Sequence, residues 1–256
     1  MLETYIRSRL AEKKILLMTH IVIGYPTLEA SLEIVRSMVE AGVDLMELQI
    51  PFSEPIADGP VILKANQAAL ANGVTVDQCL DFGRRVAQQF PIPFLYMTYC
   101  NILFKHGVDR FAGGMQAAGL QGAIVPDLPP EEATDYLDAM GRNELSPIFI
   151  YSPTTSDARM NTIARVAAGF VYCVARKGVT GDQTEFSKQI GDYLGRCRAA
   201  THLPLALGFG VKGKADVDFL AGKADIAVIG SQTLRIVENH GVEAMGNFIR
   251  QIVNQK

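Results

Sequence analysis

The 256-residue sequence has no tryptophan, four histidines, four cysteines and no excess of either charge. Each scarcity excludes something. The 24 Lys and Arg against 27 Asp and Glu give a net charge of −3 with no basic run, so the chain has no electrostatic footprint for nucleic acid or an anionic membrane face. Cys79, Cys100, Cys173 and Cys197 are scattered, with no C-x-x-C pair and no histidine at ligand spacing. That argues against a disulfide framework or a metal and for four reduced packing residues. No stretch of about 18 uncharged apolar residues occurs, and segment 1–14 alternates charged with apolar residues, so neither a spanning helix nor a secretory leader is read and a cytoplasmic location is expected. Linkers rich in Gly, Pro or Ser are also missing. Residues 1–256 therefore read as one domain, long enough to bury roughly three quarters of its unfolded surface.

What is present is an alternation. Short apolar runs rich in β-branched residues, at 15–23, 43–50, 93–98, 122–125, 147–151, 170–174, 203–207 and 225–229, are separated by segments of helical period. Segment 27–41 sets Leu28, Leu32, Val35 and Val39 on one face, with Thr27 as its cap. Thr75 begins another helix, with Gln78 at the capping-box position and Val76, Leu80, Gly83 and Val86 along one stripe. The runs themselves barely alternate, as expected of strands buried on both faces of a parallel sheet. Eight strand–helix units over this length match an α/β fold, a single-domain (β/α)8 TIM barrel, and the long interval between the second and third runs predicts an extra helix after strand 2. A doubly wound open sheet is the rival. It would carry a glycine-rich fingerprint after its first strand, and Ile23-Gly24-Tyr25-Pro26-Thr27 is not one.

In such a barrel, functional groups gather at the C-terminal ends of the strands. Strand 2 runs into Glu47-Leu48-Gln49-Ile50-Pro51-Phe52-Ser53-Glu54-Pro55-Ile56-Ala57-Asp58-Gly59-Pro60. With Leu45, Glu47 and Gln49 on one side of the strand and Met46, Leu48 and Ile50 on the other, Glu47 points into the barrel. Desolvation there favours the protonated carboxyl, and a carboxyl tuned in this way can both donate and accept a proton. The competing reading is a structural glutamate paired with a buried Arg or Lys, for which nearby strands supply few candidates. Asp58 reads either as an acceptor held over the barrel mouth by a proline-stiffened loop or as a turn aspartate ahead of Gly59. Glu54 reads as a solvated loop carboxylate. Asp127 reads as a catalytic or a structural group, Tyr172 as core or pocket wall, and His20 as a pocket or core residue of strand 1.

The second half of the chain has three small-residue corners, Gly178-Val179-Thr180-Gly181, Gly208-Phe209-Gly210 and Gly230-Ser231, after strands 6, 7 and 8. The ends of strands 7 and 8 are where barrels often build a phosphate site from backbone N–H groups and a helix start. Glycine lets the backbone approach an anion, Ser231 adds a hydroxyl, and no basic cluster is required.

The segment from Glu47 to Pro60 resembles the signature of the tryptophan synthase alpha subunit family. The likeness continues through Met97-Thr98-Tyr99-Cys100-Asn101, Val125-Pro126-Asp127-Leu128-Pro129, Arg176-Lys177-Gly178-Val179-Thr180-Gly181, Gly208-Phe209-Gly210 and Gly230-Ser231, and so spans the whole chain. The resemblance implies a (β/α)8 barrel that cleaves indole-3-glycerol phosphate, by a reversible retro-aldol reaction, to indole and glyceraldehyde 3-phosphate. It implies Glu47 as the acid/base at indole C3 and Asp58 as the acceptor for the indole N–H. Tyr172 becomes a pocket residue, Thr180 part of a loop that closes over Asp58, and Gly181, Gly210, Gly230 and Ser231 the phosphate site. It implies no metal and no cofactor in this chain, pyridoxal phosphate being expected only in a beta-subunit partner bound as an alpha2-beta2 complex through segments 51–60, 101–104 and 127–130. The sequence departs from the commoner family pattern at Gln49, where glycine is usual, at Glu54, at Ile102, and at His20 and Val22 beside the expected indole pocket. A free-standing lyase, and a feebly catalytic subunit that mainly activates its partner, are the alternatives.

Overall fold

A computed structural model of the chain describes residues 2–56, 58–175, 183–208 and 210–253, with backbone only at 183–188. Each of the eight apolar runs forms a strand. They are β1 (Leu16–Val22), β2 (Leu45–Gln49), β3 (Phe94–Met97), β4 (Gly122–Ile124), β5 (Ser146–Tyr151), β6 (Val171–Val174), β7 (Leu205–Gly208) and β8 (Ile226–Ile229). All pair in parallel and in chain order, and β8 closes on β1 to complete a barrel. Helix α1 (Leu2–Leu10) precedes β1 and α2 (Leu28–Glu40) follows it. Both α3 (Pro60–Ala71) and α4 (Val76–Gln89) lie between β2 and β3, the extra helix that the long interval predicts. After β3 come α5 (Cys100–His106) and α6 (Val108–Ala118), then α7 (Thr134–Arg142), α8 (Asp157–Ala164), α9 (Gln183–Ala200), α10 (Lys214–Leu220) and α11 (Ser231–Val253), which bends at Gly241. Among the described residues no helix is long and apolar enough to cross a membrane.

The start signals act as expected. Thr27 accepts a hydrogen bond from Ala30 N, and Thr75 with Gln78 forms a reciprocal capping box. The buried stripes are shifted from the predicted ones. On α2 the buried residues are Ser31, Ile34, Val35 and Met38, with Leu28, Leu32 and Val39 only partly covered. Ser31 earns its place through hydrogen bonds, because its hydroxyl accepts from Gly24 N and lies within bonding distance of Thr27 O, tying the helix to the end of β1. On α4 the buried set is Cys79, Phe82, Gly83 and Val86. Gly83 is required there: a Cβ would meet the Tyr96 hydroxyl at 2.0 Å, and that hydroxyl donates to Cys79 O and Leu80 O.

Two cores result. Met46, Leu48 and Ile50 face the helices, whereas Leu45, with Leu16, Met18, Leu95, Ile148 and Val228, fills the barrel interior. Leu2 and Ile6 of α1 join the interior core, so that α1 covers the N-terminal end. Asp44 anchors this end, accepting from Lys13 Nζ at 2.7 Å, Arg9 Nη2 at 3.2 Å and Leu17 N at 3.0 Å. With one mouth filled by α1, polar chemistry is left to the other.

Candidate active site

At the C-terminal mouth, a cavity of about 350 Å³ is lined by residues from β1 to β6 and β8, from the loops that follow the strands and from the first turns of α3 and α11. Its wall is mostly apolar, with Met97, Ile124, Ile150, Val174 and Ile62, and a few polar groups converge on it. That composition suits a flat, weakly polar ring with one specific donor.

Glu47 is 4% exposed, because alternation along β2 turns it inward beside Leu45 and Gln49. The parallel register sets His20 of β1 directly opposite it, and His20 Nδ1 lies 3.0 Å from Glu47 Oε1. Tyr172 on β6 reaches across the barrel and donates to the same oxygen at 3.5 Å. Burial alone would lower the His20 pKa, but the hydrogen bond and charge of Glu47, with Asp58 adding, outweigh it and hold the imidazole above its ordinary value. Burial, reinforced by the charges of Glu47 and Asp58, keeps the Tyr172 phenol neutral far beyond its usual range.

Asp58 is held by its surroundings rather than by a regular element. Gln49 Nε2 donates to Asp58 Oδ2 at 2.6 Å, and Tyr99 Oη donates to the same atom at 3.4 Å. The intervening loop is pinned by Asn66 Oδ1, which accepts from Phe52 N at 2.9 Å, and by the Phe52 ring stacked on Tyr99 at 4.8 Å. Partial burial raises the Asp58 pKa, opposed by the His20 charge and the hydrogen bond from Gln49. The two carboxylates thus line one cavity, one from β2 and one from the loop that follows it.

Another part of the lining is glycine and serine. Gly210 has φ +83°, and Gly230 and Ser231 stand at the start of α11, where backbone N–H groups lack helical acceptors. Lys212 and Arg235 also line the cavity at this side. An anion would meet amide dipoles and two cations there.

A model of the family described as tryptophan synthase alpha chain matches residues 6–256. The chain belongs to that family. Tryptophan synthase alpha chains of Syntrophotalea carbinolica and Desulforapulum autotrophicum are 67% and 63% identical over 252 residues, covering 98% of this chain and all of theirs. Among solved structures, tryptophan synthase from Mycobacterium tuberculosis superposes with a TM-score of 0.91 at 31% identity, covering 98% of this chain and 96% of that one. The alpha subunit from Legionella pneumophila gives 0.88 at 31%, with the same coverage. As a tryptophan synthase alpha chain it is a lyase, catalysing cleavage of indole-3-glycerol phosphate.

Of the residues singled out in the sequence, Glu47, Asp58, Tyr172, Gly210, Gly230 and Ser231 line the one cavity. Thr180 and Gly181 lie outside the described residues. Asp127 proves structural: its Oδ1 accepts from Cys100 N at 2.9 Å at the start of α5. Glu54 is exposed. Sequence reading missed Gln49 and Tyr99 as partners of Asp58, and Lys212 and Arg235 at the anion side. It weighed only an Arg or Lys as a partner for Glu47, and set that reading aside for want of candidates, whereas the partner is His20. The signal for that pairing was available, since two polar residues inside adjacent apolar strands at matching depth should meet.

Proposed function

We propose that this chain performs its cleavage with Glu47 as the acid/base and Asp58 as the acceptor for the indole N–H, residues 1–256 acting as one catalytic domain. Protonation of indole C3 by Glu47 makes the ring an electron sink. The resulting carboxylate then takes the proton of the side-chain hydroxyl as the carbon–carbon bond breaks, which releases indole and glyceraldehyde 3-phosphate and restores the acid. A positive charge grows on the ring nitrogen in the first step, and a carboxylate placed at that point stabilises it most in the transition state. Tyr172 limits the position of the ring. Gly210, Gly230 and Ser231 would hold the phosphate through backbone N–H groups and a hydroxyl, with Gly181 completing the set and the charges of Lys212 and Arg235 assisting. Thr180 would belong to the segment that closes over Asp58 and excludes water.

The observation that carries this reading is that two carboxylates, Glu47 and Asp58, and the glycine–serine corner at α11 line one mostly apolar cavity. Because the chain is a tryptophan synthase alpha chain, its partner is a beta subunit, and we propose an alpha2-beta2 assembly in the cytoplasm with pyridoxal phosphate held by the beta subunit. Exposed Ile56, at 77%, and Phe104, at 58%, lie in two of the segments proposed to dock it, and support that face.

The test is indole release from indole-3-glycerol phosphate by the purified chain, with and without a beta subunit, beside Asp58→Asn. Slow release that rises with the partner and falls at least about tenfold in the variant is expected. Equal release with and without partner would favour a free-standing lyase, and none from a folded chain that binds glycerol phosphate would refute the catalytic roles.

A further inference from the structure

Two of the side chains that touch the carboxylates, His20 and Gln49, are each hydrogen-bonded at one end only among the described residues. His20 Nδ1 faces Glu47 Oε1 at 3.0 Å, and Gln49 Nε2 faces Asp58 Oδ2 at 2.6 Å. Their other polar atoms, His20 Nε2 and Gln49 Oε1, are buried and have no hydrogen-bond partner among the described residues. His20 is 3% exposed and Gln49 fully buried, so water does not readily make up the loss. Register puts His20 opposite Glu47 and Val22 opposite Gln49, which makes His20 and Gln49 a diagonal pair on one face, within reach of long side chains. The two orphans are therefore neighbours, and they are complementary when Nε2 bears hydrogen. We propose that His20 and Gln49 are positioning residues that join Glu47 and Asp58 into one proton-sharing unit, the imidazole storing the proton that Glu47 uses and the Gln49 amide linking it to Asp58.

The tautomers decide when the link is made. With one proton on the His20–Glu47 pair beyond a neutral ring and a carboxylate, two states are available. In the first, the imidazolium donates from Nδ1 to Glu47 and from Nε2 to Gln49 Oε1. In the second, the proton has moved from Nδ1 to Glu47 Oε1, which donates back, while Nε2–H still donates to Gln49. Both complete the chain Glu47–His20–Gln49–Asp58. When the pair loses that proton, the remaining ring hydrogen stays at Nδ1 against the carboxylate, and the lone pair of Nε2 faces the Gln49 oxygen. The link then opens. The chain is thus complete only when Glu47 has a proton to give.

The carboxylates act in the same sense. Burial opposes the charged ring, Glu47, Asp58 and the Gln49 amide favour it and outweigh burial, and Tyr172 stays neutral, whereas the cations Lys212 and Arg235, which line the same cavity, act against it. The inference rests on the acid/base role proposed for Glu47.

Nitrogen-15 NMR of histidine-labelled full-length chain tests the unit without reference to activity, with the His20 signal assigned by its loss in His20→Asn. In the wild type the ring should titrate above 6.5. It should drop below 6.5 in Glu47→Gln and fall by more than half a pH unit in Gln49→Leu. A wild-type ring titrating below 6.5, or one indifferent to Gln49→Leu, would overturn the proposal. Kinetics supply the second arm. His20→Asn keeps a donor near the Nδ1 position but cannot store a proton, so its KM should stay within about threefold of wild type while kcat falls about tenfold or more and its alkaline limb moves down by at least one pH unit. A wild-type alkaline limb in His20→Asn would make the histidine merely structural. The titration decides the proton-sharing unit even if no indole is released, and indole release decides the reaction even if the ring does not shift.

Discussion

Tyr172 occupies space that Gly208 leaves empty: a Cβ at position 208 would lie 2.4 Å from the tyrosine ring and from its hydroxyl. The two residues sit on adjacent strands, β6 and β7, with Tyr172 in register with Ala206 and Gly208 two residues further along the same face. One missing side chain thus lets the phenol reach across the barrel to Glu47.

Gly208→Ala should therefore act on the site more than on the fold. The ring must swing into the cavity or away from Glu47, since strand backbone on the other side cannot yield. Overpacking of this kind costs about 1–3 kcal/mol. We expect a melting temperature lower by several degrees, at roughly 2–4 °C per kcal/mol for a chain of this size, and kcat/KM lower by about tenfold or more. A variant with wild-type kinetics would show that Tyr172 does not position the substrate.

Glu47→Gln keeps the shape of the side chain and removes its ability to exchange a proton. Turnover should fall by about 10²–10⁴-fold, the usual contribution of a positioned acid or base. Glycerol phosphate is proposed to bind at the glycine–serine corner, away from the Glu47 carboxyl, so its affinity, measured by calorimetry, should change by less than about threefold. Survival of turnover within tenfold would remove Glu47 from the acid/base role.

Most of the barrel was legible in the sequence because its strands are buried on both faces and leave continuous apolar runs, so each of the eight strands falls within a residue or two of its expected place. The stripes of α2 and α4 were displaced because hydrogen bonds and close approach, at Ser31 and Gly83, override hydrophobicity. Glu47 was visible as a lone carboxylate in an apolar strand. Its partner was not identified because only Arg and Lys were weighed as counter-charges, whereas pairing across strands depends on register. Asp58 owes its position to Gln49, Tyr99 and a loop held by Asn66, contacts separated by up to 41 residues that no local pattern encodes.

The raised His20 pKa makes stability depend on pH in a defined sense. A group whose folded pKa lies above its unfolded value contributes fully below that unfolded value, about 6.5, and the contribution is lost as pH rises through the folded value. His106 works in the other direction, because burial and Arg110 lower its pKa, so its contribution is present above about 6.5 and lost as pH falls through its folded value. The difference between wild type and His20→Asn isolates the first effect. Urea midpoints from pH 6 to pH 9 should show the wild type losing stability relative to the variant as pH rises. A constant gap across that range would mean that His20 gains no proton affinity on folding.

Asp44 offers a control at the far end of the barrel. Its carboxylate is almost fully buried and takes bonds from Lys13, Arg9 and the Leu17 backbone, while the Tyr5 hydroxyl donates to its main-chain oxygen at 2.8 Å. These contacts fasten α1 across the mouth opposite the cavity. Asp44→Ala strips the acceptor from a buried N–H and from two cations that are only partly exposed and can turn toward water, so the cost should be about 1–3 kcal/mol rather than that of an isolated buried charge. In (β/α)8 enzymes the N-terminal face serves stability and the C-terminal face serves chemistry. Well below its melting temperature, Asp44→Ala should therefore retain kcat and KM within about twofold. A loss of turnover that exceeds the loss of folded protein would mean that the bottom of the barrel shapes the site at its top.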